Sequence, residues 1–327
     1  MTGCFCSWSA SLSAVKCCHP SGSAAVCWTL KQIFGVASTC RRRSCYYEKQ
    51  QIMSLMYWKA VLYLHITPLI FVSFTRSSDK NNPDKEYSSI MIERYSGAAL
   101  ACIFATVIVQ HWRPENVNPL QFLGLRINGI FAATIFPLLL TMILALGPIV
   151  LLLFNHLQKK SKQNHNVMKN SVKFYRYVLL APACEEIVFR CCMVGMMMSF
   201  IRPLQAMLFI PVYFSIAHMH HAFDQLDFYN DWRKALIVNS ERLVLTYIFG
   251  VYTTFIYLRT YHFAAVYLCH VFCNFIGLPD LRMYFMLQKR WMRVTVIVCT
   301  LIGICIWAKF LLPLTEPSLY ANTFSEF

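Results

Sequence analysis

Between Tyr175 and Phe200 the sequence is apolar enough to lie in a bilayer, yet it contains Glu185, Glu186 and Arg190. On insertion-based scales, one charge at the centre of a membrane helix costs about 3 kcal/mol. Three charges there require internal pairing or a chemical purpose. Helix geometry divides them. Glu186 and Arg190 stand four apart and share one face, within salt-bridge reach. Glu185 is turned about 100° away from Glu186. Its own neighbour four residues on is Phe189, which offers no charge. One glutamate is therefore expected to be neutralised locally and the other to be left for something else.

The rest of the chain supports a membrane setting for this stretch. Of 327 residues, 57% are hydrophobic and only 14% charged, whereas a soluble domain carries about 25% charged residues. Apolar spans run over Leu55–Thr75, Ala98–Val109, Ile130–Phe154, Tyr175–Phe200, Leu204–Ala222, Leu243–Leu258, Phe263–Leu278 and Val294–Leu312. The expected fold class is all-α, a multi-pass transmembrane bundle of about eight membrane helices. Ile130–Phe154 is the most continuous span, and Pro137 and Pro148 should kink it. Residues 1–50 read as a poorly ordered, Cys-rich tail, 51–315 as the membrane-embedded domain, and 316–327 as a short C-terminal tail.

The net charge of +15 is assigned to membrane orientation and anionic lipid, with no nucleic-acid partner expected. Most Lys and Arg sit in short loops, at 76–94, 159–173, 224–242 and 282–293, which the positive-inside rule places in the cytosol. Arg41, Arg42 and Arg43 argue against this arrangement unless the first span is re-entrant. Seven of the 15 cysteines lie in the first 45 residues. An odd number there, without a secretory signal, does not describe a disulfide framework. The other eight, from Cys102 onward, lie mostly in apolar spans and read as small hydrophobes.

Two further stretches supply what an available carboxylate would need. Phe214-Ser215-Ile216-Ala217-His218 closes an apolar run on a histidine, and Phe214, four before it, should pack against its ring. His270-Val271-Phe272-Cys273-Asn274 puts a histidine and an asparagine on one helix face. Amide hydrolysis needs an activated water, a proton donor for the leaving nitrogen and donors for the oxyanion. Glu185 is the candidate base, and His218 would hold the same water. His270 and Asn274 would jointly face the oxyanion. Glu186 and Arg190 read as structural support, with a substrate carboxylate as a lesser role for Arg190. His221 shares the His218 face, and Gln225 belongs to the same rim. His220 reads as interfacial.

In that order and on apolar helices, Glu-Glu-x-x-x-Arg, Phe-x-x-x-His and His-x-x-x-Asn resemble the CAAX prenyl protease family of the type II, Ras-converting class. Arg259-Thr260 and Leu268-Cys269-His270 resemble its eukaryotic members, and the resemblance runs from about Gly124 to Tyr320. It implies a glutamate-dependent intramembrane endopeptidase of the endoplasmic reticulum, with the four catalytic roles on Glu185, His218, His270 and Asn274. The implied substrates are farnesylated or geranylgeranylated CAAX proteins such as Ras-type small GTPases, which lose their last three residues. No cofactor or metal is expected.

Three other mechanisms use the same residues. A zinc site would take Glu185, His218 and His270, although no His-Glu-x-x-His pattern accompanies them. A cysteine protease would use Cys184, Cys191, Cys192 or Cys273 with a histidine. A proton-coupled carrier would use the buried Glu and His as a relay, but no inverted repeat is visible.

Overall fold

The computed structural model describes residues 42–75, 87–158, 174–219, 231–277, 287 and 289–322. The expectations for His220, His221 and Gln225, for residues 1–41 and for much of the basic loops lie outside these. Among the described residues every regular element is helical. The chain divides into Met1–Met56 and Tyr57–Phe327; of the first unit, only the opening turns of α1 are described.

The main helices are α1 (Arg42–Thr75), α2 (Tyr87–Val109), a short α3 (Pro119–Phe122), α4 (Ile130–Leu144) and α5 (Leu146–Gln158). Next comes α6, a continuous run made of Tyr175–Leu180, Ala181–Glu186, Ile187–Val194 and Gly195–Met197. It is followed by α7 (Pro203–Ala217), α8 (Trp232–Thr260), α9 (Phe263–Ile276) and α10 (Arg290–Leu314). Among the described residues four helices are long and apolar enough to cross a membrane, or five if the bent pair α4–α5 is one span. Leucine, isoleucine and phenylalanine side chains such as Leu69, Ile103, Phe131, Phe209 and Leu301 point outward, as lipid-facing positions do. The chain is a multi-pass helical membrane protein.

The expected kink is sharper than a bend. α4 and α5 meet at 66°, and the break falls at Ala145. Pro148 explains the place: its ring has no N–H for the Leu144 carbonyl and clashes with it, so the helix ends there. Pro137 is accommodated inside α4. Three helices start well before the apolar spans suggested, α1 among them at Arg42. α2 begins at Tyr87, and α8 begins at Trp232, where the Asp231 side chain accepts the Arg233 N–H as an N-cap. Hydropathy marks the apolar part of a helix, not its polar first turns.

α7 and α9 have 15 and 14 residues. At 1.5 Å per residue each is about 22 Å long, short of the roughly 30 Å hydrocarbon core. They are held by longer neighbours. Ser215 Oγ donates to the Leu243 carbonyl at 2.8 Å and Tyr247 Oη to that of Leu208 at 3.3 Å, tying α7 along α8. A Cβ on Gly250 would lie 2.9 Å from Pro211 Cβ and 3.3 Å from Phe214 Cδ1, so the absence of a side chain lets α7 approach. Thr141 joins Tyr252 at 3.0 Å and Cys269 at 3.1 Å, linking α4, α8 and α9.

The C-terminal end of α8 is closed from elsewhere in the chain. Arg126 donates to the carbonyls of Thr260 (2.9 Å), Tyr261 (3.1 Å), Tyr320 (3.0 Å) and Ala321 (2.8 Å). Asn322 donates to those of Leu258 (3.1 Å) and Arg259 (3.0 Å). The last carbonyls of a helix have no partner within it, and here two side chains supply the donors. The segment expected to be a tail from residue 316 therefore packs into the protein as far as Asn322. Tyr320 is fully buried in a 3₁₀ turn, Pro317–Tyr320. Arg126→Met would leave four carbonyls short of a donor, each costing about 1–3 kcal/mol if buried unpaired. Thermal unfolding in detergent should show a loss of about 4 kcal/mol, with no comparable effect of Lys234→Gln at an exposed site.

Candidate active site

The two glutamates are presented by an irregular helix. Pro182 has no N–H for the Val178 carbonyl, and the turns before it, Tyr175–Leu180, widen to π geometry. Ala181–Glu186 is α, Ile187–Val194 is π again, and Gly195–Met197 returns to α.

Glu186 is fully buried and is shared between two partners. Its Oε1 lies 3.1 Å from Arg190 Nη1, as the four-residue spacing predicted. The same oxygen accepts from His270 Nδ1 at 2.7 Å. Arg190, 1% exposed, donates from Nη2 to Thr253 Oγ1 at 2.7 Å. Its guanidinium lies over the Phe214 ring, 4.1 Å from the centroid. With those partners and that burial, Arg190 is not placed to meet a substrate carboxylate.

Glu185 points the other way. Its Oε2 is 3.6 Å from His270 Nε2 and 3.9 Å from His218 Nε2, and its side chain keeps 16% exposure. Neither separation is a direct hydrogen bond; each suits a bridging water. The histidine tautomers follow from their other nitrogens. His218 Nδ1 donates to the Phe214 carbonyl at 2.8 Å, so in the neutral ring Nε2 presents a lone pair to Glu185. His270 Nδ1–H is held by Glu186, which turns its Nε2 toward Glu185 as well.

Aromatic rings fix these orientations. Phe214 meets His218 edge-on at 4.7 Å, as its spacing implied, and also contacts Phe189 at 5.2 Å and His270 at 6.1 Å. Phe249 covers the other side of His270 at 4.8 Å. Asn274 is on the His270 helix one turn on, but it is exposed, and its amide donates to the Tyr177 carbonyl at 2.9 Å. That bond ties α9 to the first turns of α6. The structure thus brings Glu185, His218 and His270 together and gives Asn274 a partner outside that cluster. Among the described residues no group of three or more His, Cys, Asp or Glu is placed to hold a metal ion.

Sequence reading missed the Glu186–His270 bond and the roles of Thr253 and Phe249. Glu186 and His270 are 84 residues apart, and no local spacing rule connects them. Thr253 and Phe249, four apart on α8, carry no signal beyond an apolar helix.

A family model described as type II CAAX prenyl endopeptidase Rce1-like matches residues 168–276, the stretch holding α6 to α9. A Homo sapiens protein named CAAX prenyl protease 2 is 28% identical over 257 residues, 74% of this chain and 77% of its own length. An Arabidopsis thaliana protein of the same name is 28% identical over 267 residues, 73% and 83% of the two chains. A Schizosaccharomyces pombe protein named probable CAAX prenyl protease 2 is 34% identical over 109 residues, 33% and 40%. No solved structure matches the chain. The family match falls on the helices that carry the ordered Glu, His and Asn motifs, and over most of its length the chain is similar to proteins named CAAX prenyl protease 2.

Proposed function

We propose that this protein is an intramembrane endopeptidase of the endoplasmic reticulum membrane that removes the C-terminal tripeptide from prenylated CAAX proteins, Ras-type small GTPases among them. The observation that carries the reading is the convergence of Glu185 Oε2 with the Nε2 atoms of His218 and His270, at 3.9 and 3.6 Å. The named relatives support the substrate class. A prenyl chain partitions into the bilayer, so a site between membrane helices receives lipid and peptide together.

The proposed chemistry needs one water in that gap. It donates one proton toward Glu185 Oε2 and the other toward the His218 lone pair, leaving its own lone pair for the scissile carbonyl. Glu185 takes the proton as the carbon–oxygen bond forms and returns it to the departing nitrogen as the carbon–nitrogen bond breaks. With Nε2 protonated, His270 donates to the oxyanion, a term that typically contributes about 3–4 kcal/mol. The second amide N–H of Asn274, the one not given to Tyr177, is the further donor.

Glu185→Gln keeps volume and hydrogen-bonding capacity but removes the base. Cleavage of a prenylated CAAX peptide by the purified protein should be abolished while protein yield and peptide binding stay near wild type; normal turnover would sink the assignment. Treatment with a strong zinc chelator should leave wild-type turnover intact, and a loss that zinc restores would revive the metal reading.

Glu186→Gln should behave differently. It leaves Arg190 without its counter-charge, and breaking a buried pair costs about 3–5 kcal/mol. It also frees the His270 ring, so protein that does fold should show a lowered kcat with KM little changed. Adding Arg190→Met should restore part of the stability, read by thermal midpoint, but not kcat. Recovery of both would mean that Glu186 serves Arg190 alone.

A further inference from the structure

We propose that Arg242, on α8, binds the C-terminal carboxylate of the peptide that is cleaved. This rests on the prenylated-CAAX reading above and deepens it. The last residue of such a substrate carries a free carboxylate, ionised at neutral pH. Taking that charge out of water is costly unless it is paired. Arg190 does not supply the pair, because Glu186, Thr253 and the Phe214 ring already surround it.

Helix geometry puts a second guanidinium on the site-facing side of α8. At about 100° per residue, Arg242 stands about 20° from Phe249 and about 20° from Thr253, between the two. Both of those side chains meet the site. Phe249 covers His270 at 4.8 Å, and Thr253 accepts from Arg190 at 2.7 Å. The same side of the helix carries Asn239 and Thr246, both buried. Val244 and Ile248, on the far side, are exposed as lipid-facing residues are. Arg242 itself is partly buried. Its carbonyl accepts from Thr246 Oγ1 at 2.7 Å, and among the described residues its guanidinium has no hydrogen-bond or ion-pair partner.

The height fits as well. α7 and α8 run antiparallel, with Ser215 against Leu243 and Pro211 against Gly250. Arg242 therefore starts within the height of the last turn of α7, which leads into His218. Helical side chains lean toward the start of their helix. For Arg242 that is the polar end of α8, near Asp231, Arg233 and Lys234. From Phe249 to Arg242 the helix rises about 10.5 Å, and three extended residues span about 10 Å. With the scissile carbonyl at His270, beside Phe249, the carboxylate three residues on falls next to Arg242. A guanidinium suits it, since its fork matches both oxygens of a carboxylate.

The test uses the full chain in liposomes and two prenylated CAAX peptides, identical except that one ends in a carboxylate and the other in a carboxamide. A hydrogen bond to a charged group is worth about tenfold or more in affinity. Wild-type kcat/KM should therefore be about tenfold or more lower for the carboxamide, chiefly through KM. Arg242→Met should lower kcat/KM for the free acid by a similar factor and leave the carboxamide value unchanged, so that the variant no longer distinguishes the two. Arg242→Gln should do the same, and serves where Arg242→Met does not accumulate. Arg242→Lys should recover part of the preference. The proposal is overturned if the wild type cleaves both peptides equally. It is also overturned if folded Arg242→Met or Arg242→Gln keeps the preference or slows both peptides by the same factor, as loss of a lipid contact would. Failure of the wild type to cleave the free acid would instead count against the proposed hydrolysis. Binding of the two peptides to Glu185→Gln protein would then decide the point: tighter binding of the free acid that Arg242→Met abolishes upholds the anchor, and equal binding refutes it.

Discussion

One carboxylate oxygen, Oε1 of Glu186, holds the site together. It meets Arg190 at 3.1 Å and His270 at 2.7 Å, and all three groups are buried. Burying ions is expensive, and a buried pair is often no better for stability than apolar residues of the same shape. Its use here is positional. By taking the charge of Arg190 and the Nδ1–H of His270, Glu186 connects α6 to α9 and orients His270 Nε2. Thr253 and the Phe214 ring complete the surroundings of Arg190 and bring α7 and α8 into the same arrangement. Glu185, next in sequence but on another face, is thereby left facing two histidine nitrogens.

Packing around this cluster explains why short helices suffice. α7 and α9 are too short to span a bilayer alone, yet they carry His218 and His270. Gly250 admits α7 against α8, and Ser215 and Tyr247 anchor it. α9 leaves α8 through a reversal at Tyr261, where φ is +45°. Arg126 and the C-terminal residues hold the carbonyls on the α8 side of that turn. The clamp at one end of α8–α9 and the Glu186 bond in the middle of α6 and α9 together set the height at which His270 faces Glu185.

Much of this was legible from local spacing. The four-residue intervals Glu186–Arg190 and Phe214–His218 predicted contacts that the structure contains. Hydropathy predicted eight apolar helical segments, although Pro148 breaks one of them and polar first turns extend three others. What local spacing does not carry is contact across long separations. The Glu186–His270 bond assigns Glu186 a part in orienting a histidine, where sequence alone assigned it only to Arg190. The same limit applies to Asn274. Its place on the His270 face is a matter of period, but its bond to Tyr177 depends on how α9 docks against the widened start of α6. The C-terminal segment looked like a tail because its sequence is short and mixed; its fixed position comes from Arg126, almost 200 residues away.

We propose that the two carboxylates divide their work, so that Glu185 activates a water and does not itself bond to the substrate. The most direct test is a single turnover, with enzyme in excess over a prenylated CAAX peptide, in water enriched in oxygen-18. If Glu185 acts as base, the new carboxylate on the prenylated cysteine carries solvent oxygen in that first turnover. If Glu185 were a nucleophile transferring one of its own oxygens through an anhydride, the first product would be unlabelled and label would enter the enzyme, and Glu185 would not be the base.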